Sequence, residues 1–470
     1  MNVQTAPQHV QHEDGLPIPR RYWSVISIWL ALTMAVLDGA IANVALPVIA
    51  HELGASPSMS VWVINGYQLT ITILLLPLAA LGDRIGYKCI YIPGLALFTL
   101  GSVGCAAGGT LPLLIAARVF QGVGAACIMS MNAALVRATY PANMLGRGIG
   151  YNAMVLSISA AVGPTLAALI LSIASWQWLF LINVPFGIAA LIVGRKALPE
   201  PEGHGRPFDW PSALLSGAMM GLIVFGAETF ARESEALGSA MVAGGILAGV
   251  ALVRRERGEP NPLMPLDLLR IPIFTLSIST SVVSFAAQML AYVALPFLLQ
   301  SVLGRSVFAT GLLMTPWPIA VGIAAPIAGR LADRIPAGLL GGFGLAIFAA
   351  GLFFLSRLGT SPDNIDIAWR MAVCGLGFGL FQSPNNRTIV SAAPKPRSGA
   401  AGGMLATARL LGQTGGAVTV GVAFHIAGLR ATPALLLGAS IIALIAAGIS
   451  LLRLSVPPPG RVAVYKPILD

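Results

Sequence analysis

Charge is scarce in this chain: only 10% of its 470 residues are Asp, Glu, Lys or Arg, while 56% are apolar. A soluble protein draws about a quarter of its residues from those four types, so an aqueous globular fold is excluded. The four cysteines, Cys89, Cys105, Cys127 and Cys374, show no C-x-x-C spacing, which excludes a disulfide framework and a cysteine zinc site. Histidine is also rare. His425 alone falls in an apolar stretch, without the His, Asp or Ser partners a membrane enzyme would need. No G-x-x-x-x-G-K-[ST] loop occurs and no polar stretch is large enough for a nucleotide domain, so energy from nucleotide hydrolysis is excluded. The excess of basic over acidic residues, +10, is spread over short loops rather than gathered on one face, which argues against nucleic acid.

Long apolar runs are abundant, and so is glycine, at 53 residues. Runs of about 18 to 25 residues match the hydrocarbon thickness that a helix must cross, and glycine and proline are tolerated in such helices. The expected fold is an all-α polytopic membrane protein of fourteen spans. One charged stretch occurs twice. Leu78-Ala-Ala-Leu-Gly-Asp-Arg-Ile-Gly-Tyr-Lys88 separates two apolar segments, and Ala328-Gly-Arg-Leu-Ala-Asp-Arg-Ile335 does the same 250 positions later. Two copies of one element imply two related halves.

The polar loop 198–207 and the basic run 254–260 bracket the seventh and eighth spans. Setting that pair aside gives a six-helix bundle over 23–195, a linker with two extra transmembrane helices over 196–258, and a second six-helix bundle over 259–456. Tails of 1–22 and 457–470 complete the chain. Most of the Lys and Arg residues, Arg20, Arg84, Lys88, Arg334 and Arg453 among them, fall on the side of the two tails. The positive-inside rule then puts both termini in the cytoplasm.

Two ionisable residues fall inside spans at a matching depth. Asp38 lies nine residues before Pro47 in an outward span, and Arg118 lies seven after Leu111 in an inward one. At about 1.5 Å per residue, both sit roughly 10 to 13 Å below the outer surface. A carboxylate there either protonates or finds a cation, so the pair is a candidate proton-coupling site. A fixed tie between two helices is the alternative, and Asp38 alone would suit a cationic cargo. Arg409 lies near the middle of its span with no acid nearby in sequence, and either lines a cavity or bonds helix ends. Asn43, Asn65, Gln68, Gln121, Asn152, Gln288 and Gln300 are candidate cavity polars. Trp62, Tyr67 and Trp317 are either stacking surfaces or interface anchors. Asp83 and Asp333 are expected at helix starts, where the dipole favours a carboxylate. Pro164 removes a backbone donor and should bend its span.

The charged stretch resembles the G-x-L-a-D-R-x-G-r-K signature of the major facilitator superfamily. Leu81, Asp83, Arg84, Gly86 and Lys88 carry it in the first copy, and Gly329, Leu331, Asp333 and Arg334 in the second. Further stretches are similar to those of the 14-span drug:proton antiporter branch: Leu37-Asp-Gly-Ala-Ile-Ala-Asn-Val-Ala-Leu-Pro47, Arg118-Val-Phe-Gln-Gly-Val-Gly124, Gly163-Pro164, Trp176-Gln-Trp-Leu-Phe-Leu-Ile-Asn-Val-Pro-Phe-Gly187, Ser383-Pro-Asn-Asn386 and Arg409-Leu-Leu-Gly412. The resemblance implies a bacterial inner-membrane exporter that exchanges amphipathic, cationic small molecules for protons by alternating access. It implies that Arg118 takes part in proton coupling and that Asp38 is functionally important. It also implies that Gly163 and Pro164, the antiporter motif, pack the halves together. Asp83, Arg84, Lys88, Asp333 and Arg334 would form a latch for the outward-facing state. Neither cofactor nor metal is expected, and the chain is expected to act as a monomer. An exporter of an anionic, zwitterionic or lipid-like metabolite is the alternative within transport, and a non-transporting membrane sensor is the alternative outside it.

Overall fold

In hydrocarbon every backbone N–H and C=O has to be satisfied within the segment, and this apolar chain meets that demand with helices. The computed structural model describes residues 15–141, 144–199, 208–232, 234–257, 266–394 and 397–456, and every regular element among them is helical. The long helices of the first half are α1 (Arg20–Glu52), α2 (Trp62–Ile85), α3 (Tyr87–Ala107), α4 (Leu111–Thr139), α5 (Leu145–Ile173) and α6 (Asn183–Ala197). Two more follow, α7 (Trp210–Arg232) and α8 (Glu235–Glu256). The second half contains α9 (Pro272–Phe297), α10 (Val307–Met314, continued by Pro316–Leu331), α11 (Ala337–Ser356), α12 (Asn364–Ala392), α13 (Ser398–Ala427) and α14 (Thr432–Leu452).

Among the described residues, twelve stretches are long and apolar enough to cross a membrane. One of them, Ala400–Ser455, contains both α13 and α14. Helix α12 stands outside the twelve, its hydropathy lowered by Arg370, Gln382, Asn385 and Asn386.

Helices α1 to α6 pack chiefly on one another, as do α9 to α14. The same crossing holds a helix pair together in each set. A Cβ on Gly124 of α4 would stand 2.3 Å from the Phe98 nitrogen and 2.6 Å from the Gly94 carbonyl of α3. One on Gly377 of α12 would stand 2.3 Å from the Phe348 nitrogen and 2.5 Å from the Gly344 carbonyl of α11. Only glycine fits either place, and the contact atoms repeat at the 250-residue offset of the charged stretches. Helices α7 and α8 form a hairpin closed by Gly226, Gly238 and Gly245. Of the two, α7 leans on α2, where Phe225 stacks on Trp62 at 5.3 Å between ring centroids, and on α13.

Gln300, in the π-helical turn that follows α9, donates to the carbonyl of Val44 near the end of α1 at 2.9 Å, so α1 and α9 run the same way. Arg453, just beyond α14, donates to Ser277 in the opening turns of α9 at 3.2 Å. Both described chain ends therefore share one face, here the near face.

The halves meet at the far face. A Cβ on Gly311 of α10 would lie 2.3 Å from the Ala168 Cβ and 2.5 Å from the Pro164 carbonyl of α5. The Thr165 and Thr315 hydroxyls are 2.6 Å apart. Glycine on the second helix supplies the close approach that Ala167 and Ala168 would otherwise prevent. A single apolar core joins the halves here, with Val44 and Leu46 of α1 packed among Leu295, Phe297, Leu313 and Phe424. Towards the near face the cores separate. One is built on α1 to α6, with Leu410 reaching in from α13, and the other on α9, α12 and α13.

Candidate functional site: a sealed ion pair beside a central cavity

The far-face core and the two separate near-face cores leave a central cavity of about 180 Å³ between the halves. Its wall draws on α1, α2, α4 and α5 from one half and on α9, α10, α12 and α13 from the other. Of the candidate cavity polars, Asn43, Gln68, Gln288 and Arg409 stand on this wall, joined by Gln382 and Gln413. Phe285, Tyr292 and Trp317 supply an aromatic side, opposite Tyr67. Not one Asp or Glu lines it among the described residues.

Four sequence candidates lie elsewhere. Gln300 is turned by the π-helical turn across the halves to Val44 and serves the far-face closure. Gln121 is buried in the ion-pair network below. Asn65 is buried at the α2–α13 contact near Gly421, and Asn152 is half-buried on α5 and is not one of the residues that line the cavity. Trp62 is committed to Phe225.

Asp38 and Arg118 are brought together and are 1% and 0% exposed, so the pair is dry. Arg118 Nη1 donates to Asp38 Oδ2 and, at 2.7 Å, to Gln121 Oε1, while its Nε donates to the Val63 carbonyl at 3.0 Å. The other carboxylate oxygen accepts from Gln121 Nε2 at 3.0 Å and from Asn183 Nδ2 at 2.9 Å. Gln121 Nε2 also donates to Ser102 Oγ at 2.9 Å, and its Oε1 takes the Cys105 thiol at 3.4 Å. Helices α4 and α6 thus converge on the carboxylate of α1, and α2 and α3 bond to the Arg118 and Gln121 that hold it. A buried ion pair survives only where its remaining lone pairs and protons are met, and here the neighbours meet both oxygens. Arg118 Nη2 alone lacks an acceptor. Its guanidinium carbon stands 4.0 Å from the Tyr67 ring centroid and 5.5 Å from that of Phe180, and the aromatic faces partly offset its burial.

Tyr67 is the partition. One side of the residue lines the cavity, its ring lies over Arg118, and its hydroxyl is tied to the Ala35 carbonyl at 3.0 Å. Asn183 and Ser102 complete the carboxylate's surroundings and were not singled out by sequence. The available signal was an Asn embedded in the motif that opens α6.

Arg409 stands over Phe285 at 5.7 Å, and its Nε has no hydrogen-bond partner. A second buried arginine also lies away from the ion pair. Arg453, expected in a cytoplasmic loop, folds back between helices and bonds to Asn385 Oδ1 at 2.8 Å, to Ser277 and to Ser450.

In the first charged stretch the structure corrects one expectation. Asp83 lies in the last turn of α2, because the helix runs on to Gly86, whose φ of 102° ends it. It accepts from the Tyr87 hydroxyl at 2.8 Å across the turn. Asp333 lies in the turn after α10 and accepts from Arg387 of its own half at 2.5 Å. Arg84 and Arg334 are exposed and Lys88 is half-buried. Gly163 packs on α1, where an added Cβ would meet the Ala40 Cβ at 2.5 Å, and Pro164 faces Gly311 across the halves.

A bundle of membrane-length helices in two repeated sets, with a cavity between them and a sealed ion pair behind its wall, defines a membrane transporter. Residues 28–417 match the Major Facilitator Superfamily, with a second match over 276–467, and the chain belongs to that superfamily. It is 53% identical over 448 residues to the uncharacterized transporter YebQ of Escherichia coli (strain K12), covering 94% of this chain and 98% of that one. It is 31% identical to the riboflavin transporter RibZ of Clostridioides difficile (83% and 86% covered). It is 32% identical to the multidrug resistance protein Stp of Mycobacterium tuberculosis (85% and 75%). Among solved structures, a POT family transporter in complex with a thioalcohol-conjugated peptide superposes with a TM-score of 0.71 at 14% identity, covering 92% of this chain and 96% of that one. That likeness concerns the fold.

Proposed function

We propose that this chain is a proton-driven exporter of amphipathic small molecules that works by alternating access. All fourteen long helices cross the membrane, in two six-helix bundles (23–195 and 259–456) with α7 and α8 between them, and both tails are cytoplasmic. The observation that carries the reading is the position of Asp38: a dry carboxylate paired with Arg118, separated from the cargo space by a single ring, Tyr67. Protonating Asp38 discharges the pair, and Arg118 then lies against Tyr67 as an uncompensated charge. A change on the proton side is thereby felt at the cavity wall. One proton moving down a 100 mV potential supplies about 2.3 kcal/mol, enough for a cargo gradient of roughly 50-fold.

With the far face closed, the arrangement is the cytoplasm-open state of such a cycle. Asp83, Arg84, Lys88, Asp333 and Arg334 then form the latch that closes the near face in the opposite state. The motifs resemble those of exporters of cations, but the cavity wall carries Arg409 and no carboxylate among its described residues. This favours the alternative of an anionic or zwitterionic cargo. RibZ and Stp, by name a riboflavin transporter and a multidrug resistance protein, show that relatives of this chain differ in cargo.

The test is reconstitution into liposomes holding a pH dye. A panel of aromatic cations, neutral compounds and anions is added to wild type and to Asp38→Asn. Proton release from wild type, absent in the variant, supports coupling at Asp38. Equal release from both refutes it.

A further inference from the structure

A second cavity, of about 460 Å³, adjoins the seam where α2 of the first half meets α13 of the second. The two helices show it faces other than those they turn to the central cavity. Gln68 and Ile71 of α2 and Leu410 and Gln413 of α13 line the central one, whereas Leu69, Thr72, Leu411 and Thr414 line this one. The Thr72 and Thr414 hydroxyls, 3.2 Å apart, join the halves along the seam. Helix α7, which packs on both α2 and α13, lies across it and supplies Met219, Met220 and Ile223, and α9 adds Ile278 and Val282.

Apart from three threonines the lining is wholly apolar, and the threonine protons are spent. Thr72 donates to the Gln68 carbonyl at 2.8 Å, which leaves Thr414 to donate to Thr72, and Thr407 donates to the Gly403 carbonyl at 3.0 Å. Water needs two to four polar partners, so this space is dry. An empty void costs stability in proportion to its volume, so hydrocarbon is the occupant that fits. The polar head of a cargo would find no partner here.

Size, height and access say which hydrocarbon. An aliphatic cavity of about 150 Å³ takes one benzene, about 25 Å³ per carbon, so 460 Å³ holds about eighteen carbons. From Met404 to Gly415 the wall rises about 16 Å at 1.5 Å per residue, the depth of one leaflet of a core about 30 Å thick. Its lower end reaches Leu269, just before α9 starts at the near face. Ile223 and Gly415 are exposed, and a Cβ on Gly415 would meet nothing within 4 Å, so the cavity is open to the bilayer at that level. Three methionines, Met219, Met220 and Met404, give the wall side chains that adapt to a chain of variable shape.

We propose that this cavity is a lipid site: one acyl chain of a near-face-leaflet phospholipid fills it, held against the α2–α13 seam by α7. The inference needs only that these helices span a bilayer.

The experiment is photolabelling of the full chain in phosphatidylethanolamine and phosphatidylglycerol vesicles, doped with a phosphatidylethanolamine that carries a diazirine on one acyl chain. Adducts are mapped by mass spectrometry of peptides. Labelling within 219–224 and 404–415 should exceed that at Leu247, an exposed residue of α8 that meets only the outer lipid. Gly415→Phe, which fills the open end, should cut the cavity adducts about tenfold and leave Leu247 unchanged. Cavity labelling no stronger than that at Leu247 overturns the proposal, as do cavity adducts that Gly415→Phe leaves intact. Displacement of the adducts by micromolar dodecyltrimethylammonium, against the excess of lipid, would give the cavity to a cargo tail and overturn it too. The comparison within wild type does not depend on the variant's folding. None of these readouts uses a proton gradient, so their failure would leave coupling at Asp38 untouched.

Discussion

Replacing Asp38 with Asn keeps the shape of the side chain and removes its charge. Asp38 now receives hydrogen bonds from Arg118, Gln121 and Asn183, and an Asn has one acceptor oxygen for these donors and adds an N–H among them. Arg118 is left charged and 0% exposed, without a counter-ion. Breaking a buried pair by removing one partner costs about 3–5 kcal/mol. The stranded donor contributes about 1–3 kcal/mol within that sum. Thermal unfolding in detergent, followed by tryptophan fluorescence, should show that loss. The pair Asp38→Asn with Arg118→Met removes the stranded charge as well and should recover about 2–3 kcal/mol of it. Proton release in liposomes should stay absent from single and double variants alike. Recovery of proton-driven transport together with stability in the double variant would refute the reasoning, because the pair would then be only a tie between helices.

The far-face closure offers a second test: Thr165→Cys with Thr315→Cys, whose hydroxyls now stand 2.6 Å apart, should cross-link under oxidation and stop transport, with reduction restoring it. Gly311→Val should force α10 away from Pro164 and Ala168, at about 1–3 kcal/mol, and lower the yield of that cross-link when the two changes are combined. Tyr67→Ala should open the ion pair to the cavity, read as faster labelling by a small thiol reagent of Cys105, which is fully buried in wild type. Burial alone would raise the Asp209 carboxyl, but hydrogen bonds from Ser212 and the Arg255 guanidinium hold it below its ordinary value. A depressed carboxylate stabilises above the unfolded value and loses that contribution as pH falls through the folded one. The tie from Asp209 to Arg255 at the end of α8 should therefore weaken only below about pH 4, as seen by hydrogen exchange. Both groups are over a third exposed, so Asp209→Asn should cost well under 1 kcal/mol.

Depth arithmetic places Asp38 and Arg118 on one level because rise per residue is fixed in a helix, and the sequence states where each span begins. It says nothing of azimuth. Depth alone therefore puts Gln121 among the cavity polars, whereas the fold turns it into the ion pair one turn from Arg118, and nothing in the sequence sets Asn183 apart from the motif around it. Gln300 departs from the cavity for a related reason, since a π-helical turn after Pro296 takes it out of the register that α-helical counting assumes. Counting arginines by loop treats any Arg at a span end as wet. Arg453 shows the exception, because Asn385, Ser277 and Ser450 offer polar partners in the interior and the side chain turns back to them. The duplication was legible in the charged stretches and extends further: 250 residues separate Tyr67 from Trp317 as they separate Asp83 from Asp333. Both aromatic residues line the cavity, one from each half. Behind Tyr67 lies Arg118, whereas Trp317 is backed by Phe348, so one half retains a charge site where the other is apolar.

The position of Tyr67 between two compartments carries a thermodynamic obligation. If loading a proton on Asp38 changes how tightly the cavity holds its cargo, through this ring or its neighbours, then cargo must change the proton affinity of Asp38 by the same factor, since coupling free energies between two binding equilibria are reciprocal. The exchange of one passenger for the other would then need no separate timing device. Each would set the terms on which the other leaves.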